Sequence, residues 1–180
     1  MTGTNRTGVV DFPWKVRLNK GAIRNWSTDV RRMPYKMMTD KEVLAFDLDQ
    51  FMAEESCLFV WTINSKIPVA LQVLEANGYK YSSTIVWMKD NGITANGITT
   101  NCEYAIFGYR GRYPFSMGGR SIWTGFTAPR GRHSEKPAKF YEMIRSKTPE
   151  PRIDIFARRR HAGFDAWGDQ VEDDIQEVLG

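Results

Sequence analysis

Short apolar runs separated by stretches of helical periodicity constrain this 180-residue chain more than any other feature. Gly8-Val9-Val10, Ser82 to Met88, Tyr104 to Gly108 and Ile153 to Phe156 read as strands, the last of these as the final one; Cys57 to Ile63 is a continuous apolar run of the type buried on both faces. Between the first two, Thr39-Asp40-Lys41-Glu42 forms a capping box, and Leu44, Leu48, Phe51 and Met52 recur at helical spacing, which predicts a helix to about Glu54. Pro68 suits a first helical turn, with Ile67, Ala70, Leu71 and Leu74 on one face and Gly78 as the stop. Pro137 opens another helix with Phe140, Tyr141 and Ile144 inward, and Val171 to Leu179 reads as a short acidic one. Strands alternating with helices predict an α/β fold, a mostly parallel sheet with helices on both faces. In such sheets ligands bind beyond the carboxyl ends of the strands, where Asp11, Arg158 and the loops after Trp87 and Gly108 are expected. Trp61 and Trp87, inside apolar strands, are expected in the core.

No repeat, low-complexity tract or linker marks a second domain, so residues 1 to 180 are read as one domain. No apolar run approaches the roughly 20 residues needed to span a bilayer, and residues 1 to 8 are polar. A soluble, unsecreted, cytoplasmic protein with no membrane partner is the expectation. Cys57 and Cys102, neither in a CxxC pattern, are expected as buried free thiols. The sequence has no phosphate-binding P-loop and no GxGxxG after a strand, and two isolated histidines, His133 and His161, make no metal cluster.

Charge is unevenly placed. Residues 169 to 180 hold five acids and no Lys or Arg, which leaves 25 basic against 16 acidic residues, a net +9, over residues 1 to 168. Lys15 to Lys36 holds seven basic residues and one acid around Trp26, Pro34 and Tyr35; Arg110 to Arg132 holds five arginines and no acid around Tyr113, Phe115, Trp123 and Phe126. Basic residues interleaved with aromatics suit phosphate contacts and base stacking, so Arg31, Arg32, Tyr35, Lys36, Arg130 and Arg132 are candidate nucleic-acid contacts. A pair of solvated loops is the plainer alternative.

Asp11-Phe12-Pro13-Trp14 places a carboxylate, a turn and an aromatic at the end of the first strand. An exocyclic adenine amine is a poor nucleophile because its lone pair is delocalised into the ring. A carboxylate and a backbone carbonyl accepting its two N–H protons would localise that pair, and the aromatic would give the base a stacking face. Proline fixes its own φ and keeps Phe12 extended, so the Phe12 carbonyl has a defined direction. An ordinary strand-to-loop turn with a packed Trp can produce the same four residues.

The chain as a whole resembles the adenine-N6 methyltransferases of the messenger-RNA adenosine methyltransferase type, with bacterial and phage relatives that act on DNA. The resemblance rests on the Asp11 tetrad, Tyr35-Lys36-Met37-Met38-Thr39-Asp40, Leu58-Phe59-Val60-Trp61, Val86-Trp87-Met88-Lys89 and Glu103 to Gly108. It continues through His133-Ser134-Glu135-Lys136-Pro137, Phe156-Ala157-Arg158 and Trp167-Gly168-Asp169-Gln170, all in the family's order. It implies a single Rossmann-like methyltransferase domain and S-adenosylmethionine as cofactor. The reaction implied is methyl transfer to the N6 amine of adenine in nucleic acid, DNA in preference to RNA. A catalytically silent nucleic-acid-binding partner is the alternative from another class, and a small-molecule or protein methyltransferase a third. Matched motif by motif, Asp11 and the Phe12 carbonyl would receive the amine protons beyond Pro13, and Trp14 would pack on the base. Lys136 would meet the methionine carboxylate; Arg158 and His161 with Asp169 and Gln170 would hold the ribose and adenine. The tetrad has Phe12 for the family's first proline, and Asp169 stands where the messenger-RNA enzymes have asparagine. The first strand begins almost at Met1, without the upstream loop that touches the cofactor's adenine in larger relatives, so weak cofactor affinity is expected. With no evident target-recognition domain, the chain should read little sequence directly, and either be promiscuous or depend on a partner, a second copy or another chain.

Overall fold

The computed structural model describes residues 3–16, 36–95, 97–115, 121–129 and 135–168. Among them the elements are β1 (Asn5–Val10), α1 (Asp40–Leu44), β2 (Met52–Thr62), α2 (Ile67–Ala76), β3 (Lys80–Ala95), β4 (Ile98–Arg110), β5 (Gly125–Thr127), α3 (Ala138–Arg145), β6 (Arg152–Ile155) and β7 (Asp165–Trp167). The strands form one sheet in the order β5-β3-β4-β2-β1-β6-β7. β4 pairs antiparallel with β2 and β3, and every other pairing is parallel, so β4 alone runs against the rest. The expected mostly parallel α/β sheet is the one that forms.

Its centre is apolar on both faces because both are covered. On one face Val10, Leu58, Val60, Ile106, Ile153 and Ile155 pack with Val43 of α1 and Ala70, Val73 and Leu74 of α2. On the other, Val9, Cys57, Phe59, Trp61, Ala105 and Phe107 pack with Phe140, Tyr141 and Ile144 of α3. The period of two along a strand sorts neighbours such as Phe59 and Val60 to opposite sides. Leu58 to Trp61 are fully buried, each stabilising the fold by about 1.5–3 kcal/mol relative to exposure. Trp61 and Trp87 are core residues, as expected.

Several boundaries differ from expectation for local reasons. The capping box at Thr39 and Glu42 starts α1, but the helix ends at Leu44 rather than near Glu54. The Asp47 carboxylate accepts the Asp49 N–H at 2.9 Å and its carbonyl accepts the Gln50 amide at 2.7 Å, a turn that competes with helix, and Met52 already belongs to β2. Leu48, Phe51 and Met52 share one core with Val43 from different elements, so their spacing mimics a helical face. On α2 Val73 is buried and Leu71 exposed, which rotates the expected face by part of a turn. The helix does stop at Gly78, whose φ is +71°. The β3–β4 hairpin runs past the expected strands to Ala95 and Ile98, β7 follows the strand expected to be last, and Val171 to Leu179 lies outside the described residues. Cys57 is buried beside Thr7, its thiol pushed up to about 12 by burial; Cys102, expected buried, is partly exposed, and both are free. Among the described residues no helix is long and apolar enough to cross a membrane, and no group of three His, Cys, Asp or Glu is placed to hold a metal.

The direction of β4 overturns one placement. Because β4 is antiparallel, the loop after Gly108 leaves at the amino end of β2, where Arg110 lies opposite Ser56, on the far edge from Asp11. Arg110 is structural there: its guanidinium bonds Asp49 at 2.7 Å and the carbonyls of Ala53 and Asn77 at 3.0 and 3.2 Å.

Candidate active site

β1 carries the chain into Asp11 between its parallel neighbours β2 and β6, and the Asp11 N–H donates to the Ile155 carbonyl at 3.2 Å. A tight turn follows, in which Trp14 N–H donates to the Phe12 carbonyl at 2.8 Å across Pro13. The 36–39 segment clamps this turn: Met38 N–H donates to the Pro13 carbonyl at 2.8 Å and Lys15 N–H to the Met38 carbonyl at 2.9 Å. Trp14, partly buried, donates its indole N–H to the Trp61 carbonyl at 3.0 Å and meets the Phe12 ring edge-on at 5.4 Å. Phe12 is buried against Phe46 and Phe156, so a large apolar ring, in place of proline, ties the turn to the core.

Beyond the strand ends, charges alternate in a buried chain. Lys136 Nζ lies 2.9 Å from Asp11 Oδ2 and 3.2 Å from Glu103 Oε2, above the Trp61 ring at 5.4 Å. Glu103 also pairs with Lys89, and Arg158 Nε stands 4.0 Å from Asp11 Oδ2. Burial opposes the Lys136 charge, but Asp11 and Glu103 outweigh it and hold its pKa above the ordinary value. Burial also pushes Glu103 up, but two lysines carry it below the usual carboxylate range. For Asp11 burial wins over Lys136 and Arg158, and its pKa is raised.

β6 supplies the opposite wall. After Ile155 the chain reverses at Phe156, whose φ of 63° is a strained left-handed conformation for an aromatic residue. The reversal lets Ala157 N–H bond the Trp167 carbonyl at 3.0 Å and returns Arg158 toward Asp11. Gly168 is needed beside it, since a Cβ there would lie 2.7 Å from the Ala157 oxygen. His161 is buried, its ring stacked on Tyr141 at 3.4 Å; burial, then the Arg159 charge, lowers its pKa to about 4, so it is neutral near pH 7.

The MT-A70 family model matches residues 8–170, a span that holds all of these groups. The chain belongs to the MT-A70 family. Members of this family are adenine-N6 methyltransferases that generally use S-adenosylmethionine. The chain is 25% identical over 182 residues to the type II methyltransferase M.MunI of Mycoplasma sp, an alignment covering 93% of this chain and 78% of that protein. It is 25% identical over 181 residues to an N(6)-adenosine-methyltransferase MT-A70-like protein of Arabidopsis thaliana, covering 94% of this chain and 24% of the relative. The human N(6)-adenosine-methyltransferase catalytic subunit METTL3 is 23% identical over 159 residues, covering 83% of this chain and 25% of METTL3. The chain thus spans most of the bacterial relative and about a quarter of the plant and human ones.

In this MT-A70 domain, four of the residues expected to act together, Asp11, Lys136, Arg158 and His161, line one cavity of about 10 Å³, room for one water. Phe12, Pro13 and Trp14 form the adjoining turn, and Lys36 is exposed beyond it. Tyr35, Arg31, Arg32, Arg130, Arg132, His133, Asp169 and Gln170 lie outside the described residues. Two acidic residues of the site were given no role from sequence, although Glu103 opens a matched motif. Glu103 is brought beside Lys136 by the β3–β4 register, which sets it opposite Trp87, two residues before Lys89. Asp154 lines the cavity from β6, with a buried Oδ1 that has no partner among the described residues. A buried cation, flanking carboxylates and an orphaned carboxylate oxygen fit the zwitterionic end of S-adenosylmethionine in kind: Lys136 matches its carboxylate, and an acidic oxygen its ammonium.

Proposed function

We propose that this chain transfers a methyl group from S-adenosylmethionine to the N6 amine of adenine in nucleic acid, DNA in preference to RNA, in the cytoplasm. The observation that supports this best is a raised-pKa carboxylate, Asp11, next to a turn-locked carbonyl, Phe12, at the carboxyl edge of the sheet and beside a buried cation. When bound, the cofactor supplies an electrophilic methyl on sulfur. Asp11 accepts one N–H of the target amine and the Phe12 carbonyl, which can accept two hydrogen bonds, takes the other, so the amine lone pair is localised for attack. The methylated nitrogen would be cationic, and Asp11 would stabilise that charge and receive the departing proton. A raised pKa makes it a better base than an exposed aspartate. Trp14, its indole anchored on Trp61, offers a fixed surface for the base. Lys136 would hold the cofactor's carboxylate and Arg158 its ribose. The preference for DNA rests on coverage, since the chain spans most of a type II methyltransferase but only a quarter of the N6-adenosine enzymes. The presence of Asp11 argues against a silent partner, and the free thiols Cys57 and Cys102 agree with a reducing compartment.

The decisive test is transfer of label from S-adenosylmethionine to single-stranded and duplex DNA and RNA, followed by nucleoside analysis. Labelled N6-methyladenine is expected, with more from single-stranded or mismatched DNA than from paired duplex, because extruding a paired base costs a few kcal/mol. Label in no adenine, with the cofactor bound, would overturn the assignment.

Two binding predictions accompany it. Affinity for a short adenine-containing oligonucleotide should fall steeply with salt, and charge removal at Arg31 and Arg32, or at Arg130 and Arg132, should flatten that slope. A flat dependence in the unmodified protein points instead to a small-molecule acceptor. Arg158→Ala should weaken S-adenosylmethionine roughly ten- to a hundredfold, the worth of a charge-assisted hydrogen bond, and nucleic acid far less. Calorimetry showing unchanged cofactor affinity would move the pocket away from β6.

A further inference from the structure

Phe12 lends its carbonyl to the reaction above, and the chain is tethered on either side of it. Asp11 N–H bonds the Ile155 carbonyl, while Met38 bonds both Pro13 and Lys15. Residue 12 itself lies past the last residue of β1, and its N–H makes no backbone hydrogen bond among the described residues. Pro13 fixes its own φ and keeps Phe12 out of the helical region, but it leaves the φ of Phe12 to be set by other means. The bond from Trp14 N–H to the Phe12 carbonyl, at 2.8 Å, is internal to the turn. The anchor of residue 12 is therefore its side chain, which is buried in the core.

That side chain touches both halves of the site. Its ring meets Trp14 edge-on at 5.4 Å and Phe46 edge-on at 5.8 Å, and it lies tilted against Phe156 at 5.4 Å. Phe46 and Phe156 also meet each other, at 5.0 Å, and both reach Trp167 of β7, at 5.9 and 5.3 Å. The rings thus join two turns from different strands: the one that carries Trp14 after β1, and the left-handed reversal at Phe156 that returns Arg158 toward Asp11.

We propose that the Phe12 ring is a positioning residue for methyl transfer: wedged between Trp14 and Phe156, it sets the direction of its own carbonyl and the plane of Trp14 relative to the β6 turn. The inference rests on the reading of Asp11 and the Phe12 carbonyl as acceptors for the target amine. A proline at residue 12 would fix φ covalently, and here a packed ring does the same work sterically. Aromatic rings meeting edge-on or tilted have preferred geometries, so the ring holds an orientation that an aliphatic side chain in the same place does not. The orientation matters because a hydrogen bond weakens steeply as it bends, and a reacting group displaced by about 1 Å loses on the order of a hundredfold in rate. The shape of residue 12 therefore bears on turnover beyond what its burial contributes to the fold.

Phe12→Leu and Phe12→Pro separate positioning from packing. Leucine keeps an apolar side chain in the core without the edge-on contact to Trp14. Proline gives up the ring but fixes φ, and it removes no backbone hydrogen bond found among the described residues. The measurement is steady-state transfer of label from S-adenosylmethionine to a single-stranded adenine-containing oligonucleotide, with folded protein counted from the stoichiometry of S-adenosylhomocysteine binding. Per folded molecule, Phe12→Leu is expected to lower kcat roughly ten- to a hundredfold with little change in the KM for cofactor. Phe12→Pro is expected to recover most of that loss, although it removes more of the buried side chain. An unchanged kcat in Phe12→Leu, a change confined to KM, or a kcat in folded Phe12→Pro no higher than in Phe12→Leu would overturn the positioning role. Should Phe12→Pro not fold, Phe12→Leu decides by the same criteria. Absence of methyl transfer to adenine by the unmodified protein would instead overturn the reading of the site on which the proposal rests.

Discussion

Methyl transfer by purified Asp11→Ala is expected to fall by roughly 10²–10³-fold, the cost of about 2.7–4 kcal/mol that follows loss of one positioned group where transition-state charge develops. The fold should survive, because Asp11 follows the last residue of β1 and Lys136 keeps Glu103 at 3.2 Å. S-adenosylhomocysteine affinity should change by much less than turnover, since the acceptor matters mainly as the amine becomes cationic. Single-turnover label transfer with saturating cofactor separates the two effects. Near-normal turnover would remove Asp11 from the chemistry and return the Asp-Phe-Pro-Trp tetrad to an ordinary turn.

The fold was legible where one local signal acted alone. The Thr39–Glu42 box starts α1, Gly78 ends α2, and the apolar run from Cys57 becomes a strand buried on both faces. Legibility failed where tertiary contacts imitated or reversed a local pattern. Leu48, Phe51 and Met52 recur as on a helix because the core collects them, not because one helix carries them. Nothing in the sequence of Tyr104 to Gly108 shows that the strand is antiparallel, and this hidden direction sends the Gly108 loop to the wrong edge for the site.

The site divides in the same way. Asp11, Lys136, Arg158 and His161 each follow or precede a recognisable element, and the structure gathers them around one cavity. Asp154 was missed because Arg-Ile-Asp-Ile alternates polar and apolar, the pattern of a half-exposed strand. β6 is instead an inner strand beneath α3, so its acid is buried. Glu103 sits 14 residues from Lys89 along the chain, and only the hairpin register makes the pair a support for Lys136.

That support makes Lys136 a sensitive position for stability. Its side chain is 10% exposed, between carboxylates that are 11% and 16% exposed. Lys136→Met fills similar space and leaves Asp11 with only Arg158, at 4.0 Å, while Glu103 retains Lys89. Breaking a buried pair by removing one partner costs about 3–5 kcal/mol, and that loss is expected in urea unfolding at pH 8. The loss should shrink toward pH 5. The Asp11 pKa, already raised by burial, loses the largest cation that opposes the rise, so the folded variant takes up a proton at a higher pH than the folded unmodified protein. Where the variant's folded state binds the extra proton, its stability falls more steeply with rising pH, and the two curves separate upward from the acid side. The Glu103 contribution has the opposite sign: its folded pKa is lowered, so its stabilisation is present above the ordinary carboxylate range and is lost as pH falls through the folded value in the unmodified protein. Both trends narrow the gap at low pH. An equal difference at pH 5 and pH 8 would show that Lys136 stabilises by packing its methylenes on Trp61 rather than by neutralising Asp11 and Glu103.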